Sequence, residues 1–143
     1  MKRILVLNGP NLNLLGQREP EIYGHETLYD IEVLCREKGN DLNLEIDFRQ
    51  SNHEGELIEL IQESKKKHAG IVINAAAYSH TSVAIHDALK FAALPLAEVH
   101  ISDPKTREEF RHTSYIEPLA DVYVAGKGAQ GYAEALEKLS ALL

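Results

Sequence analysis

The chain contains no tryptophan and only one cysteine among its 143 residues. A single cysteine supports neither a disulfide framework nor a CxxC metal or redox motif. Cys35 follows Leu34 in a helical pattern and reads as a small core residue rather than a nucleophile. Long hydrophobic runs are also missing. Nothing approaches the ~20 apolar residues of a membrane span. The start, MKRILVLNGPN, lacks the apolar stretch of a signal peptide, so the expected compartment is the cytoplasm. There is no basic excess either. With 22 acidic against 15 basic residues the net charge is −7, which argues against a nucleic-acid partner, since that would need a basic stripe. An acidic average still permits an anionic small ligand, because a few placed arginines suffice locally.

What is present is the composition of an ordinary globular protein, 44% hydrophobic and 26% charged. No linker, repeat or low-complexity run divides residues 1–143, so one domain is expected, able to bury about 70% of its unfolded surface. Residues 3–7 (RILVL) read as a buried strand. Thr27 and Asp30 have the spacing of a capping box that opens a helix ended by Gly39. Residues 42–48 (LNLEIDF) alternate strictly, as an edge strand covered on one side does. Ser51 and Glu54 mark a second capping box, and the helix after it runs toward Gly70. IVI at 71–73 is wholly apolar, as a central parallel strand should be. A helix over 81–93, the strand LAEVHI, the strand DVYVA and a last helix complete the chain.

Five strands alternating with helices imply parallel pairing and right-handed crossovers. At this length the expected architecture is α/β, a flavodoxin-like doubly wound five-stranded parallel sheet in the order 2-1-3-4-5, and not a TIM barrel of ~250 residues. The carboxyl edge of such a sheet collects Asn8 and Asn11 after the first strand, Asn74 after the third, and His100 and Ser102 after the fourth. Strands one and three flank the topological switch point, where ligands bind.

Residues 7–24, LNGPNLNLLGQREPEIYG, are far longer than the usual connection of about 2–6 residues. They hang over this expected pocket like a lid, centred on about residues 17–25. Arg18 and Tyr23 in that lid converge with Asn74, His80, His100 and Ser102, a set suited to a polyhydroxylated substrate and proton transfer. GKGAQG (126–131) matches GxGxxG, but no second strand or acidic residue follows it, so it reads as a tight turn rather than a dinucleotide site. The histidines form no HExxH, and His80 and His86 do not share a helical face, so no metal is expected. An FMN carrier would need a phosphate-cradling first loop and flanking aromatics. This chain offers a Pro-containing first loop and no tryptophan.

LNGPNLNLLGQREPEIYG, NAAAYSHTSVAIHDAL and EVHISDPKTREEFRHTSY closely resemble the type II 3-dehydroquinate dehydratases of the shikimate pathway. GAQGYAEAL resembles that family's last turn and helix, so the resemblance runs essentially end to end. It implies the flavodoxin-like fold, no cofactor or metal, and a homododecamer built from trimers. It also implies reversible anti elimination of water from 3-dehydroquinate through an enolate. Carried onto this chain, Tyr23 would remove the proton beside the ketone. His100, positioned by Asn74 and supported by Glu98, would protonate the departing C1 hydroxyl. Arg18 would stabilise the tyrosinate, with Arg107 as a helper, and Asn11 would help hold a water against the enolate oxygen. Asn74, His80, Ile101, Ser102 and Arg111 would grip the substrate, and Asp87 would reach in from a neighbouring subunit. Less than about 1% of a free phenol is ionised near neutral pH, so a tyrosine base needs such cations.

The chain departs from the family where Ala75 and Ala76 replace a frequent Pro-Gly pair. It departs again where His86 replaces the usual Arg beside Asp87, and where Lys105 replaces a frequent His.

Overall fold

The computed structural model describes residues 1–143. Its elements run β1 (Lys2–Asn8), α1 (Pro20–Tyr23), α2 (Leu28–Asp41), β2 (Leu44–Gln50), α3 (Glu54–Lys67), β3 (Gly70–Asn74), α4 (Val83–Ala92), β4 (Leu96–His100), β5 (Val122–Ala125) and α5 (Gln130–Ser140). The five strands form one parallel sheet in the order β2-β1-β3-β4-β5, the flavodoxin-like arrangement. The period-two alternation of strand side chains divides the core into two layers. Ile4, Val6, Val72, Ala97, Val99 and Val124 pack under α2 and α5, whereas Leu5, Leu7, Ile71, Ile73 and Leu96 pack under α3 and α4. With both faces covered, β3 and β4 are buried at every position. At the β2 edge, Leu44 and Ile46 turn inward while Glu45 and Arg49 are exposed. No helix is long and apolar enough to cross a membrane.

Thr27 and Asp30 form the reciprocal capping box of α2, each side chain accepting from the other's backbone N–H. Gly39 does not end that helix, which continues to Asp41. A Cβ at Gly39 would stand 2.7 Å from Ile46 Cγ1 and 3.0 Å from the Leu44 carbonyl, so glycine there allows α2 to lie close on β2. The chain reverses at Asn43, whose left-handed φ of 58° an asparagine tolerates, and β2 therefore begins at Leu44 rather than at 42.

The second expected capping box does not form. His53 precedes α3, Ser51 instead accepts from the His53 N–H and donates to Glu56, and Glu54 takes the hydroxyl of Ser82. That serine in turn caps α4 by accepting from the Ile85 N–H at 2.9 Å. Cys35 is fully buried, and burial pushes its thiol up to about 12, as befits a core residue.

Asp47 anchors the edge strand electrostatically. It accepts from Arg49 at 2.8 Å and His68 at 2.9 Å, and Arg3 lies 3.7 Å away. Burial pushes its carboxyl up, but the hydrogen bonds from Arg49 and His68 outweigh that and hold it below its ordinary value of 3.8. A folded-state pKa held low contributes stability above the unfolded value, and the contribution disappears as pH falls through the folded one. Asp47→Asn should therefore lower the melting temperature at neutral pH, with the gap to the parent protein closing below about pH 4. Melting curves at stepped pH read this directly, and a gap that persists undiminished at pH 2 would contradict it.

Candidate active site

β1 and β3 are adjacent, and Asn8 stands opposite Asn74 in register, so both strands end on an asparagine at the carboxyl edge. Their side chains lie on the α5 face. Glu98 and His100 share the parity of Leu96 on β4 and so project toward the opposite layer. The connection after β1 begins with Leu12 and Leu15 sunk into the core. It then carries no buried residue from Gly16 to Thr27, and includes the short helix α1 bearing Tyr23.

These segments enclose a small cleft at the carboxyl edge of the sheet, where ligands of such folds bind. Asn11, Arg18, Tyr23, Asn74, His80, His100, Ile101, Ser102 and Arg111 line it, together with Arg107, Pro10, Leu12, Ala76, Ala77 and Pro104. Its charged lining is three arginines, with no carboxylate and no lysine, so the cleft is cationic in a protein of net charge −7.

The Tyr23 hydroxyl accepts a 2.7 Å hydrogen bond from Arg107, whose guanidinium also lies 5.2 Å from the ring centroid. Arg18 covers the ring at 4.9 Å. A phenol oxygen held by a donating guanidinium is prepared to carry negative charge. His100, also in the lining, has Nε2 2.5 Å from a carboxylate oxygen of Glu98, which is fully buried. Ser114 donates to that same oxygen at 2.7 Å, while Glu98 Oε1 has no partner. Because Nε2–H is engaged by the carboxylate, Nδ1 is the nitrogen left for a ligand.

His80 sits 6.3 Å from His100, ring to ring. Its Nδ1–H donates to the Thr113 carbonyl at 2.7 Å, and burial holds the imidazole below its ordinary 6.5, so it stays neutral and keeps Nε2 as an acceptor. Arg111 is paired with Glu108 at 2.7 Å.

The GKGAQG turn serves this site as scaffolding. Gly126 and Gly128, at φ 77° and 61°, donate their N–H groups to the carbonyls of His100 and Ile101. Ala76, where the resembled family often carries glycine, adopts a left-handed φ of 52° and donates its N–H to Asn74 Oδ1 at 3.1 Å.

Two sequence-derived candidates lie outside the cleft wall. Glu98 is behind His100, and Asp87 is exposed on α4 and lines no part of the cleft in its own chain. Beside it, His86 is tied to the Tyr115 carbonyl at 2.6 Å, and Lys105 pairs with Glu117 at 3.2 Å. Arg107 contacts the Tyr23 oxygen directly, which is closer than a helper role required. No spacing in the sequence marks Tyr132, which reads as one more apolar residue of a terminal amphipathic helix. Its hydroxyl is in fact bonded to both Asn8 and Asn74.

Comparison with known proteins points to one family. The family model described as "Dehydroquinase class II" matches residues 2–140. The 3-dehydroquinate dehydratase of Streptomyces avermitilis is 60% identical over 140 residues, covering 97% of this chain and 88% of that protein. The crystal structure of the type II dehydroquinase from Propionibacterium acnes superposes with a TM-score of 0.94 at 43% identity, over 99% of this chain and 97% of the other. That of the type II dehydroquinase from Butyrivibrio crossotus gives 0.94 at 46% identity, over 96% and 97%.

Proposed function

Because this chain belongs to the class II dehydroquinase family, we infer that it is a 3-dehydroquinate dehydratase. It is a hydro-lyase converting 3-dehydroquinate reversibly to 3-dehydroshikimate in the shikimate pathway toward chorismate and the aromatic amino acids. The observation that carries the mechanism is that two proton-handling groups line one cleft. Tyr23 is held by Arg107 and Arg18, and His100 is backed by buried Glu98. A base and an acid on opposite sides of a bound ring are what anti elimination requires.

Tyr23, as the tyrosinate, takes the proton between the ketone and C1, and the electron pair moves onto the ketone oxygen as an enolate. Asn11 helps hold a water against that oxygen, and developing charge is met by fixed donors. The enolate then re-forms the ketone, the C1–O bond breaks, and His100, entering the step as the imidazolium with Nε2–H on Glu98, delivers its Nδ1 proton to make the leaving group water. Electrons balance without a redox group. The cationic lining supplies Arg111 for the substrate's carboxylate, while His80, Ser102 and the Ile101 backbone bind its oxygens.

Residues 16–27 act as a lid over the site. Gly16 and Gly24, both at positive φ, bracket much of the segment, and no residue in it is fully buried, which supports opening and closing. The expected compartment is the cytoplasm. The expected assembly is a homododecamer of trimers in which Asp87 approaches a neighbour's cleft. Sedimentation at assay concentration tests the assembly, and a fully active monomer would refute it.

The activity is tested by ultraviolet absorbance of the conjugated enone growing from 3-dehydroquinate; no growth with folded protein would reject it. The same dehydration can run through a lysine imine, but no lysine lines the cleft. Lys105 and Lys127, near its edge, are paired with Glu117 and Glu134. Borohydride added during turnover should leave the chain's intact mass unchanged. One substrate-derived unit per chain, with loss of activity, would defeat the enolate route.

A further inference from the structure

Behind the cleft runs a chain of hydrogen bonds whose direction is fixed at both ends. Asn8 Nδ2 donates to the Arg49 carbonyl at 3.0 Å, and Tyr132 donates its hydroxyl proton to Asn8 Oδ1 at 2.7 Å. Asn74 Nδ2 donates to the Tyr132 oxygen at 3.0 Å, and the Ala76 N–H donates to Asn74 Oδ1 at 3.1 Å. A backbone carbonyl can only accept and a backbone N–H can only donate, so every link between them has one possible polarity. Carboxamide orientation is commonly ambiguous, but here neither asparagine can flip without breaking a bond.

Tyr132 is the one member that both accepts and donates through a single atom. It is completely buried, the largest such side chain in the core, and burial pushes its phenol further up, so it remains a donor across the working range of pH. With one N–H spent on Tyr132 and one lone pair on Ala76, Asn74 keeps one N–H to offer the cleft that it lines. We propose that Tyr132 is a positioning residue for the dehydration, its buried hydroxyl locking the Asn74 carboxamide so that an N–H donor faces the substrate. This role rests on the reaction assigned above.

Nothing in the first motif or the last helix suggests by itself that they cooperate. The juxtaposition arises because Asn8 and Asn74 are in register on the face that α5 covers. A donor aimed at the substrate's oxygens contributes most as charge develops there, so its loss falls on kcat.

The test is a kinetic cycle on 3-dehydroquinate with Tyr132→Phe and Asn74→Ala, singly and together, each confirmed as folded by its melting curve. Tyr132→Phe should lose roughly 10- to 100-fold in kcat, the scale of a reacting group held about 1 Å out of place, with KM changed by less than about threefold. Added to Asn74→Ala, the same change should cost no more than about twofold. If Tyr132→Phe does not fold, Asn8→Ala breaks the chain one link earlier and should show the same non-additivity. Unchanged kcat in the single variant, or an equal loss in both backgrounds, would overturn the role while leaving the activity of the parent enzyme intact. No turnover by the parent enzyme would overturn the functional reading and this role with it.

Discussion

Tyr23→Phe is expected to abolish two reactions at once, dehydration and the exchange of the substrate's acidic proton with solvent deuterium. Phenylalanine keeps the ring that Arg18 and Arg107 cover, at 4.9 and 5.2 Å, so the lid segment retains its packing. Only the oxygen is removed. That oxygen accepts the 2.7 Å bond from Arg107, and without it the guanidinium retains only the distant Ser102 hydroxyl at 3.4 Å and the edge of Glu108 at 3.9 Å. General base catalysis contributes about 10²–10⁴-fold, and kcat should fall by at least that. Because proton removal precedes everything else in an enolate route, exchange must fall in parallel. Folded Tyr23→Phe protein with near-parental kcat would remove Tyr23 from the role of base. Retained exchange with lost dehydration would move it to the second half of the reaction. Arg107→Lys should fall between the two: a point charge remains, but the planar guanidinium that covers the Tyr23 ring while donating from Nη1 to its oxygen does not.

The sheet order was legible because each strand advertises its own position. IVI at 71–73 is apolar throughout since helices cover both sides, and LEIDF alternates since the edge has only one. Boundaries failed where a residue had two physical uses. Gly39 looked like a helix stop, yet it serves close contact with β2, and local pattern cannot distinguish these uses before the strand's position is known. Ser51 and Glu54 have capping spacing, yet both are claimed by longer-range partners, Glu56 and Ser82. The cleft lining was legible through topology, which brings the ends of β1, β3 and β4 to one edge. Tyr132 was not, because its hydroxyl meets Asn8 across 124 positions of chain and no spacing announces such a contact. Asp87 lines no part of its own chain's cleft, so the fold of one chain gives it no position against a substrate.

His100→Ala is expected to separate the two halves of the reaction that Tyr23→Phe removes together. His100 shares its Nε2–H with a carboxylate that has no access to solvent and that also receives the Ser114 hydroxyl, leaving Nδ1 for the leaving oxygen. Removing the imidazole removes the proton donor to that oxygen, and hydroxide is a poor leaving group without one. Dehydration should therefore drop about 10²–10⁴-fold. Tyr23, Arg18 and Arg107 hold one another without His100, so the enolate should still form and return. Deuterium should accordingly enter the position beside the ketone at a rate well above the residual dehydration, visible by mass spectrometry of recovered substrate. The variant also leaves Glu98 buried without its main partner, a change that typically costs about 3–5 kcal/mol when a buried pair is broken, so a lowered melting temperature is expected and activity must be read below it. Glu98→Gln separates stability from chemistry, since it keeps the shape and a carbonyl acceptor for Nε2–H while removing the buried charge. Its dehydration should exceed that of His100→Ala, because the imidazole remains at the cleft. If exchange in His100→Ala instead vanishes in step with dehydration, His100 takes part in removing the first proton, and the division of labour between the two residues would have to be redrawn.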